Sequence, residues 1–234
     1  MDDVLVFDIG NTRIKAGFFF NGKLQRVEIL TENQLPDFVK KHSSSKVAFS
    51  NVSRKQILDK FKGFFSLEEQ VILPFKMLYE TPDSLGKDRI CNAAALSCFY
   101  PNRNKICIDI GTCVKFDFVD SLNRYHGGSI SPGLRLRYES LYEKTENLPL
   151  IENGSEINFL GLNTIDCIRS GVHLGLLKEI EGFISFYEQK FEDMLFVITG
   201  GDLKHFDLEQ KNSIFADENF TLKGLYQIYK LNES

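Results

Sequence analysis

The chain has 234 residues, 43% of them hydrophobic and 26% charged, with a formal net charge of −4. This ordinary globular balance leaves room for one large domain or two compact ones. The acidic total and the sparse basic pairs Lys40-Lys41 and Arg135/Arg137 give no nucleic-acid-binding stripe, and no apolar run is long enough to span a bilayer. Met1-Asp2-Asp3 is acidic and leads straight into a strand, unlike the basic and apolar start of a secretory signal, so a cytoplasmic protein is expected. The five cysteines (Cys91, Cys98, Cys107, Cys113, Cys167) form no C-x-x-C pair and read as reduced thiols. The four histidines show no zinc-like spacing.

Val4 to Phe7 reads as a strand. Ile14 to Phe20 and Leu24 to Leu30 then form a hairpin around Asn21-Gly22, the dipeptide preferred in type I′ turns. Leu35 to His42 suggests a short helix after Pro36, Ser43 to Ser45 a loop, Lys46 to Phe49 a strand, and Lys55 to Phe64 another helix. Pro82 and Gly86 mark irregular backbone before a helix over Ile90 to Phe99. The β-β-β-α-β-α order then recurs more loosely. Ile106 to Ile108 is a strand, and Val114 to Val119 with Tyr125 to Ile130 forms a hairpin around Asp120-Ser121-Leu122-Asn123. Ile165, Ile168, Val172, Leu176, Ile180 and Ile184 lie at helical spacing and predict a long helix over Ile165 to Tyr187. Leu195 to Ile198 is a strand running into the Thr199-Gly200-Gly201-Asp202 turn, and Leu222 to Leu231 is the last helix.

Two short segments carry most of the chemical information. Asp8-Ile9-Gly10-Asn11-Thr12 follows the first strand, and Asp109-Ile110-Gly111-Thr112 follows the strand at Ile106. Such a strand end suits phosphate. Glycine lets the backbone approach phosphoryl oxygens, amides and the threonine hydroxyl donate to them, and the carboxylate holds a cation. Two such turns suggest a duplicated fold gripping a nucleotide between its halves. No GxxxxGK[ST] or GxGxxG is present, which argues against P-loop and dinucleotide-binding folds.

The duplicated plan resembles the actin, sugar-kinase and Hsp70 ATPase superfamily. Within it, the stretch Tyr79-Glu80-Thr81-Pro82-Asp83-Ser84-Leu85-Gly86-Lys87-Asp88-Arg89, set between the two turns, resembles the type III pantothenate kinases. Gly127-Gly128-Ser129-Ile130-Ser131-Pro132-Gly133, Leu148-Pro149, Gly161-Leu162-Asn163-Thr164 with Ser170-Gly171, Thr199-Gly200-Gly201 and Leu222-Lys223-Gly224-Leu225 match further motifs of that family, in order. The departures are Cys113 and Lys87, where alanine is usual, and Asn51 to Arg54, which lacks a common valine-proline. The resemblance implies an α/β, duplicated ribonuclease H-like (actin-like ATPase) fold with halves at 1–104 and 105–234 around a nucleotide cleft. It implies transfer of the γ-phosphoryl group of ATP to pantothenate, the first step of coenzyme A synthesis, by a homodimer.

The same resemblance assigns roles. Asp8 faces the phosphates and organises Mg²⁺. Ile9, Gly10, Asn11, Thr12, Arg13, Ile14 and Lys15 shape the first ATP turn, and Thr112 meets ATP from the second. Asp88 is the base that receives the hydroxyl proton, and a helix start suits its carboxylate. Arg89 pairs with the pantothenate carboxylate, Tyr79 adds a hydroxyl and an aromatic wall, and Gly86, Lys87 and Thr164 complete the substrate-binding set. Asp109 holds a monovalent cation, K⁺ or NH₄⁺. Plainer readings stand beside several of these. Asp88 and Thr164 are possible helix caps, Lys15 a solvated strand lysine, Tyr79 a core residue, and the Ile165 to Ile184 face either core or a dimer interface. The competing functions are another small-molecule kinase of the superfamily and a non-enzymatic ATP-binding regulatory factor.

Overall fold

The structure, a computed structural model, describes residues 3–10, 13–42, 46–51, 64–67, 70–152, 157–206, 208 and 213–233. The chain divides into two compact units. The first comprises Met1–Asn102, Val119–Gly127 and Asn219–Ser234, and the second Arg103–Phe118 and Gly128–Glu218.

The first unit is built on the sheet β3-β2-β1-β4-β5. Strand β1 (Asp3–Ile9) pairs antiparallel with β2 (Ile14–Phe20) and parallel with β4 (Lys46–Asn51). Strand β3 (Lys23–Leu30) extends the hairpin on one side and β5 (Phe65–Ser66) lies along β4 on the other. Asn21 (φ 47°) and Gly22 (φ 81°) both adopt the left-handed conformation that a type I′ turn demands. Alternation puts Leu5, Phe7 and Ile9 on one face, where they bury against Ile14, Ala16, Leu35 of α1 (Leu35–Lys41), Val47 and Phe49.

Helices α2 (Lys87–Phe99) and α5 (Phe220–Asn232) also belong to this unit. Their closeness has a sequence cause. A Cβ on Gly224 would lie 1.8 Å from the Cys91 carbonyl oxygen, so only glycine permits the crossing. Thr221 Oγ1 donates to Asn92 Oδ1 at 2.9 Å across the same contact, and Phe19 of β2 stacks on Tyr226 of α5 with ring centroids 4.2 Å apart. Residues Arg89 to Ser97 of α2 are all buried, which accounts for the run Ala93-Ala94-Ala95.

The second unit repeats the strand order. Its sheet runs β9-β8-β7-β10-β11, with β7 at Asn104–Ile110, β8 at Cys113–Val119, β9 at Arg124–Pro132, β10 at Met194–Thr199 and β11 at Ile214–Ala216. As in the first sheet, the leading strand has a parallel neighbour (β10 on β7) that carries a further parallel strand (β11). The first residues of β9, which fall in the first unit, pair with β6 (Lys76–Met77). Ile106, Ile108 and Ile110 face a core shared with α3 (Leu134–Glu143) and α4 (Thr164–Lys190). On α4 the buried stripe is Ile168, Val172, Leu176, Ile180 and Ile184, each contributing about 1.5–3 kcal/mol of burial. The shared strand order makes this a duplicated ribonuclease H-like α/β fold.

Some expectations are corrected. Ile165 is 44% exposed and stands outside the α4 stripe. Helix α2 begins at Lys87, earlier than the apolar run suggests, because Asp88 and Arg89 take up helical backbone after Gly86. The loop at 43–45 and residues 55–63 of the expected helix at 55–64 lie outside the described residues. None of the helices among the described residues is long and apolar enough to cross a membrane.

Candidate active site

In the first unit, Asp8 sits near the end of β1 with Lys15 of β2 opposite it on one side and Ser50 of β4 on the other. Residues paired this way point to the same face with Cβ atoms about 5 Å apart. The register makes Lys15 a cross-strand neighbour of Asp8, and it is partly exposed. The Ser50 hydroxyl, on a residue only 1% exposed, donates to Asp8 Oδ1 at 3.4 Å. Just beyond, the Gly10 amide donates to the Arg13 carbonyl at 3.0 Å and closes the first turn. Ile9 and Ile14, at its two ends, are buried core residues, and Arg13 is exposed. Asn11 and Thr12 lie outside the described residues.

Asp88 belongs to the same neighbourhood. It is the second residue of α2, inside the first turn, and the helix cap is Gly86, which offers no side-chain bond. The capping reading of Asp88 therefore gives way. Its Oδ1 accepts instead from the Arg89 amide at 2.9 Å. A Cβ on Gly86 would come within 2.7 Å of that oxygen, so this glycine gives the carboxylate its room. Cys91, one turn further along, links Asp88 to Asp8. Burial pushes its thiol well above the ordinary value, the charges of Asp8 and then Asp88 push it further, and a Ser50 hydrogen bond and Lys87 pull it back. A single buried thiol thus senses both carboxylates.

Tyr79 and Arg89 form a second group in this unit. Arg89 is 4% exposed, and its guanidinium carbon lies 5.8 Å from the centre of the Tyr79 ring. Gly127 (φ 95°) passes so close that a Cβ there would meet Tyr79 Cδ2 at 2.8 Å, and Tyr125 flanks the ring at 6.1 Å. Tyr79 is partly exposed and so is not a core tyrosine. A buried guanidinium held beside an aromatic ring can receive a planar carboxylate in two parallel hydrogen bonds.

In the second unit, Asp109 near the end of β7 is 9% exposed, and its Oδ2 meets Lys115 Nζ of β8 at 2.7 Å. The Gly111 amide donates to the Cys113 carbonyl at 3.1 Å, a turn one residue shorter than the first. Two glycines press on it. A Cβ on Gly133 would lie 2.0 Å from the Gly111 carbonyl oxygen, and one on Gly200 (φ 104°) 2.2 Å from that of Ile110. The Gly133 amide also donates to the Thr112 carbonyl at 3.0 Å, while Thr112 itself stays exposed. Behind Gly133, Glu179 of α4 accepts from both Ser131 and Arg137, and Arg137 Nε donates to the Pro132 carbonyl at 2.8 Å.

Thr164 is exposed as the first residue of α4. The cap of that helix is Asn163, whose side chain accepts from the Asp166 amide at 3.0 Å, so the capping role passes from Thr164 to its neighbour. The structure thus groups Asp8, Lys87 and Asp88 around Cys91, Lys15 across the strand pair from Asp8, Tyr79 with Arg89, and Asp109 with the Thr112 turn. Sequence reading passed over Ser50, Cys91, Lys115 and Glu179 as parts of these groups. Ser50 alternates with Val47 and Phe49 onto the other face of β4, the one that Asp8 shares, and Lys115 lies two residues beyond Cys113 in the strand leaving the second turn. Cys91 and Glu179 depend on how helices pack.

The type III pantothenate kinase family profile matches residues 4–185. A type III pantothenate kinase from Flavobacterium johnsoniae is 38% identical over 97% of both chains. Among solved structures, one described as a Baf family transcriptional activator from Campylobacter jejuni superposes with a TM-score of 0.63 at 23% identity over 97% of both chains. A ROK family glucokinase from Streptomyces griseus, complexed with glucose and AMPPNP, does so with a TM-score of 0.52 at 12% identity over 99% of both chains. The last two likenesses concern the fold alone. Sequence, motif order and fold together place this chain in the type III pantothenate kinase family.

Proposed function

We propose the following division of labour for a kinase that transfers the γ-phosphoryl group of ATP to the primary hydroxyl of pantothenate, giving 4′-phosphopantothenate for coenzyme A synthesis. The observation that carries it is the grouping of Asp8 and Asp88 around one buried thiol, with Arg89 held beside Tyr79 one residue on.

Phosphoryl transfer passes through a loose transition state, so alignment and charge neutralisation do most of the catalysis. Mg²⁺, when bound with ATP, neutralises the phosphates and orients them. A cation of this kind is held by one or two carboxylates together with phosphate oxygens, and the half-buried Asp8 fits that demand. Ser50 fixes the Asp8 rotamer through its hydrogen bond, and Lys15 adds positive charge beside the first turn. The Gly10 and Gly111 turns offer backbone amides to phosphate oxygens, with Thr112 adding a hydroxyl. Asp88 orients the acceptor hydroxyl and takes its proton late, as the new O–P bond forms. Arg89 binds the pantothenate carboxylate, with Tyr79, Gly86 and Lys87 beside it in the first unit, and Thr164 is the further substrate-binding residue that the resemblance implies.

The positive charge that the family resemblance implies at Asp109 fits a carboxylate so little exposed, which needs a cationic partner. Homodimerisation is consistent with Phe159 (89% exposed), Leu160 and Leu162, an apolar run directly before α4. We place the enzyme in the cytoplasm, where ATP is supplied, and take residues 1–104 and 105–234 as its duplicated halves. Incubation with ATP, Mg²⁺ and pantothenate tests the reaction. The expected product is 4′-phosphopantothenate with one ADP per turnover, and ADP release indifferent to pantothenate would refute it.

A further inference from the structure

We propose that the Lys115 ammonium stands in for the monovalent cation at Asp109, so that this kinase needs neither K⁺ nor NH₄⁺. The inference rests on the reading of the Asp109 turn as a phosphate-binding element whose carboxylate carries a single positive charge.

The geometry is direct. Lys115 Nζ lies 2.7 Å from Asp109 Oδ2, and the two side chains keep only 16% and 12% of their exposure. Asp109 is the penultimate residue of β7 and Lys115 the third of β8, so the pair straddles the Gly111-Thr112 turn. A lysine head is an alkylated ammonium. It carries the same unit charge as K⁺ or NH₄⁺, and its three donors can serve several oxygens at once. Because it is tethered through its own strand, it meets the carboxylate without the loss of translational freedom that a free ion pays on binding.

The surroundings favour the same assignment. The groups that reach the neighbouring Cys107 thiol include Asp109, Asp117 and Asp217 on the negative side and Lys115 on the positive side. This face of the second unit is acidic, and Lys115 places a fixed cation within it. A free ion would have to displace the ammonium and leave it without its carboxylate in a little-exposed space, or else bind a carboxylate whose charge the ammonium already offsets. Among the described residues there is no cluster of three or more His, Cys, Asp or Glu side chains able to hold a metal ion instead.

The test compares the full-length protein in choline, KCl and NH₄Cl at matched ionic strength. Two quantities are measured: pantothenate phosphorylation, and calorimetric affinity for a non-hydrolysable ATP analogue with Mg²⁺. For the unaltered chain both stay within about twofold across the three salts. Lys115→Met loses roughly ten- to a hundredfold in turnover and weakens analogue binding in choline, and K⁺ or NH₄⁺ restores both. Lys115→Gln, similar in length and polar, behaves in the same way if the charge is what matters. Strong activation of the unaltered chain by K⁺, or analogue binding by Lys115→Met and Lys115→Gln that ignores the salt, overturns the proposal. Absence of product from the unaltered chain in every salt would count against the kinase reaction itself, and the calorimetric comparison would still decide the role of Lys115.

Discussion

Replacing Gly224 by alanine sets two effects against each other, and the structure decides between them. Alanine is the better helix former, and in an open helix the change gains about 1 kcal/mol. Here the new Cβ would lie 1.8 Å from the Cys91 carbonyl oxygen and 2.6 Å from its carbon. Both are backbone atoms in the middle of α2, so no side chain can rotate away, and α5 must move back by well over an ångström. Overpacking of this kind costs about 1–3 kcal/mol and sometimes more. The separation also strains the Thr221–Asn92 hydrogen bond and the Phe19–Tyr226 stack. A net loss of about 2 kcal/mol is expected, which lowers Tm by roughly 4–8 °C for a chain of this size. Gly182 supplies the control. It is exposed on α4 with nothing within 4 Å of a built Cβ, so Gly182→Ala raises Tm by about 1–4 °C. Thermal unfolding followed by circular dichroism measures both. Because α2 carries Asp88 and Arg89, kcat of Gly224→Ala should also fall at temperatures where the variant remains folded. Equal rises in Tm for the two variants would refute the packing argument.

Further expectations concern the substrate pocket and acid stability. Arg89→Lys keeps the charge but loses the planar fork, and it should lower kcat/KM for pantothenate by about ten- to a hundredfold, equivalent to roughly 1.5–3 kcal/mol. The KM for ATP should change little, and initial-rate kinetics showing equal effects on both substrates would contradict the assignment. Asp120 governs part of the acid limb of stability. Burial pushes its carboxyl up, but hydrogen bonds from His126, Arg124 and Leu122 outweigh it and hold the carboxyl at about 2, against an ordinary 3.8. A folded-state value below the unfolded one contributes stability that is present above the unfolded value and lost as pH falls through about 2. The Tm advantage of the unaltered chain over Asp120→Asn should therefore shrink steadily from about pH 5 down to about pH 2. A gap that does not change with pH would rule this out.

The elements most legible in the sequence are those whose cause is local. The Asn21-Gly22 turn is written in two residues, and their φ angles in the structure agree. The α4 stripe is written in its period, apart from Ile165 at the exposed first turn. What escaped depends on partners distant in sequence. The start of α2 is hidden because Lys87-Asp88-Arg89 has no apolar period, and Arg89 is buried although it is charged. Helix α3 buries only Leu134 and Tyr138 and otherwise shows charge. The two-residue strands β5 and β6 exist only through the neighbours they pair with. In the site, motif order pointed to Asp8, Asp88, Arg89 and Asp109, whereas Ser50 and Lys115 emerged only when strand pairing and side-chain geometry set them beside those acids.

Asp88 carries the account's central claim, and phosphorus NMR of γ-phosphoryl transfer from ATP to pantothenate tests it most directly. The unaltered chain should form 4′-phosphopantothenate, while Asp88→Asn, with unchanged Tm and unchanged affinity for a non-hydrolysable ATP analogue, should transfer at least about a hundredfold more slowly. An Asp88→Asn variant that phosphorylates pantothenate at the original rate would contradict it.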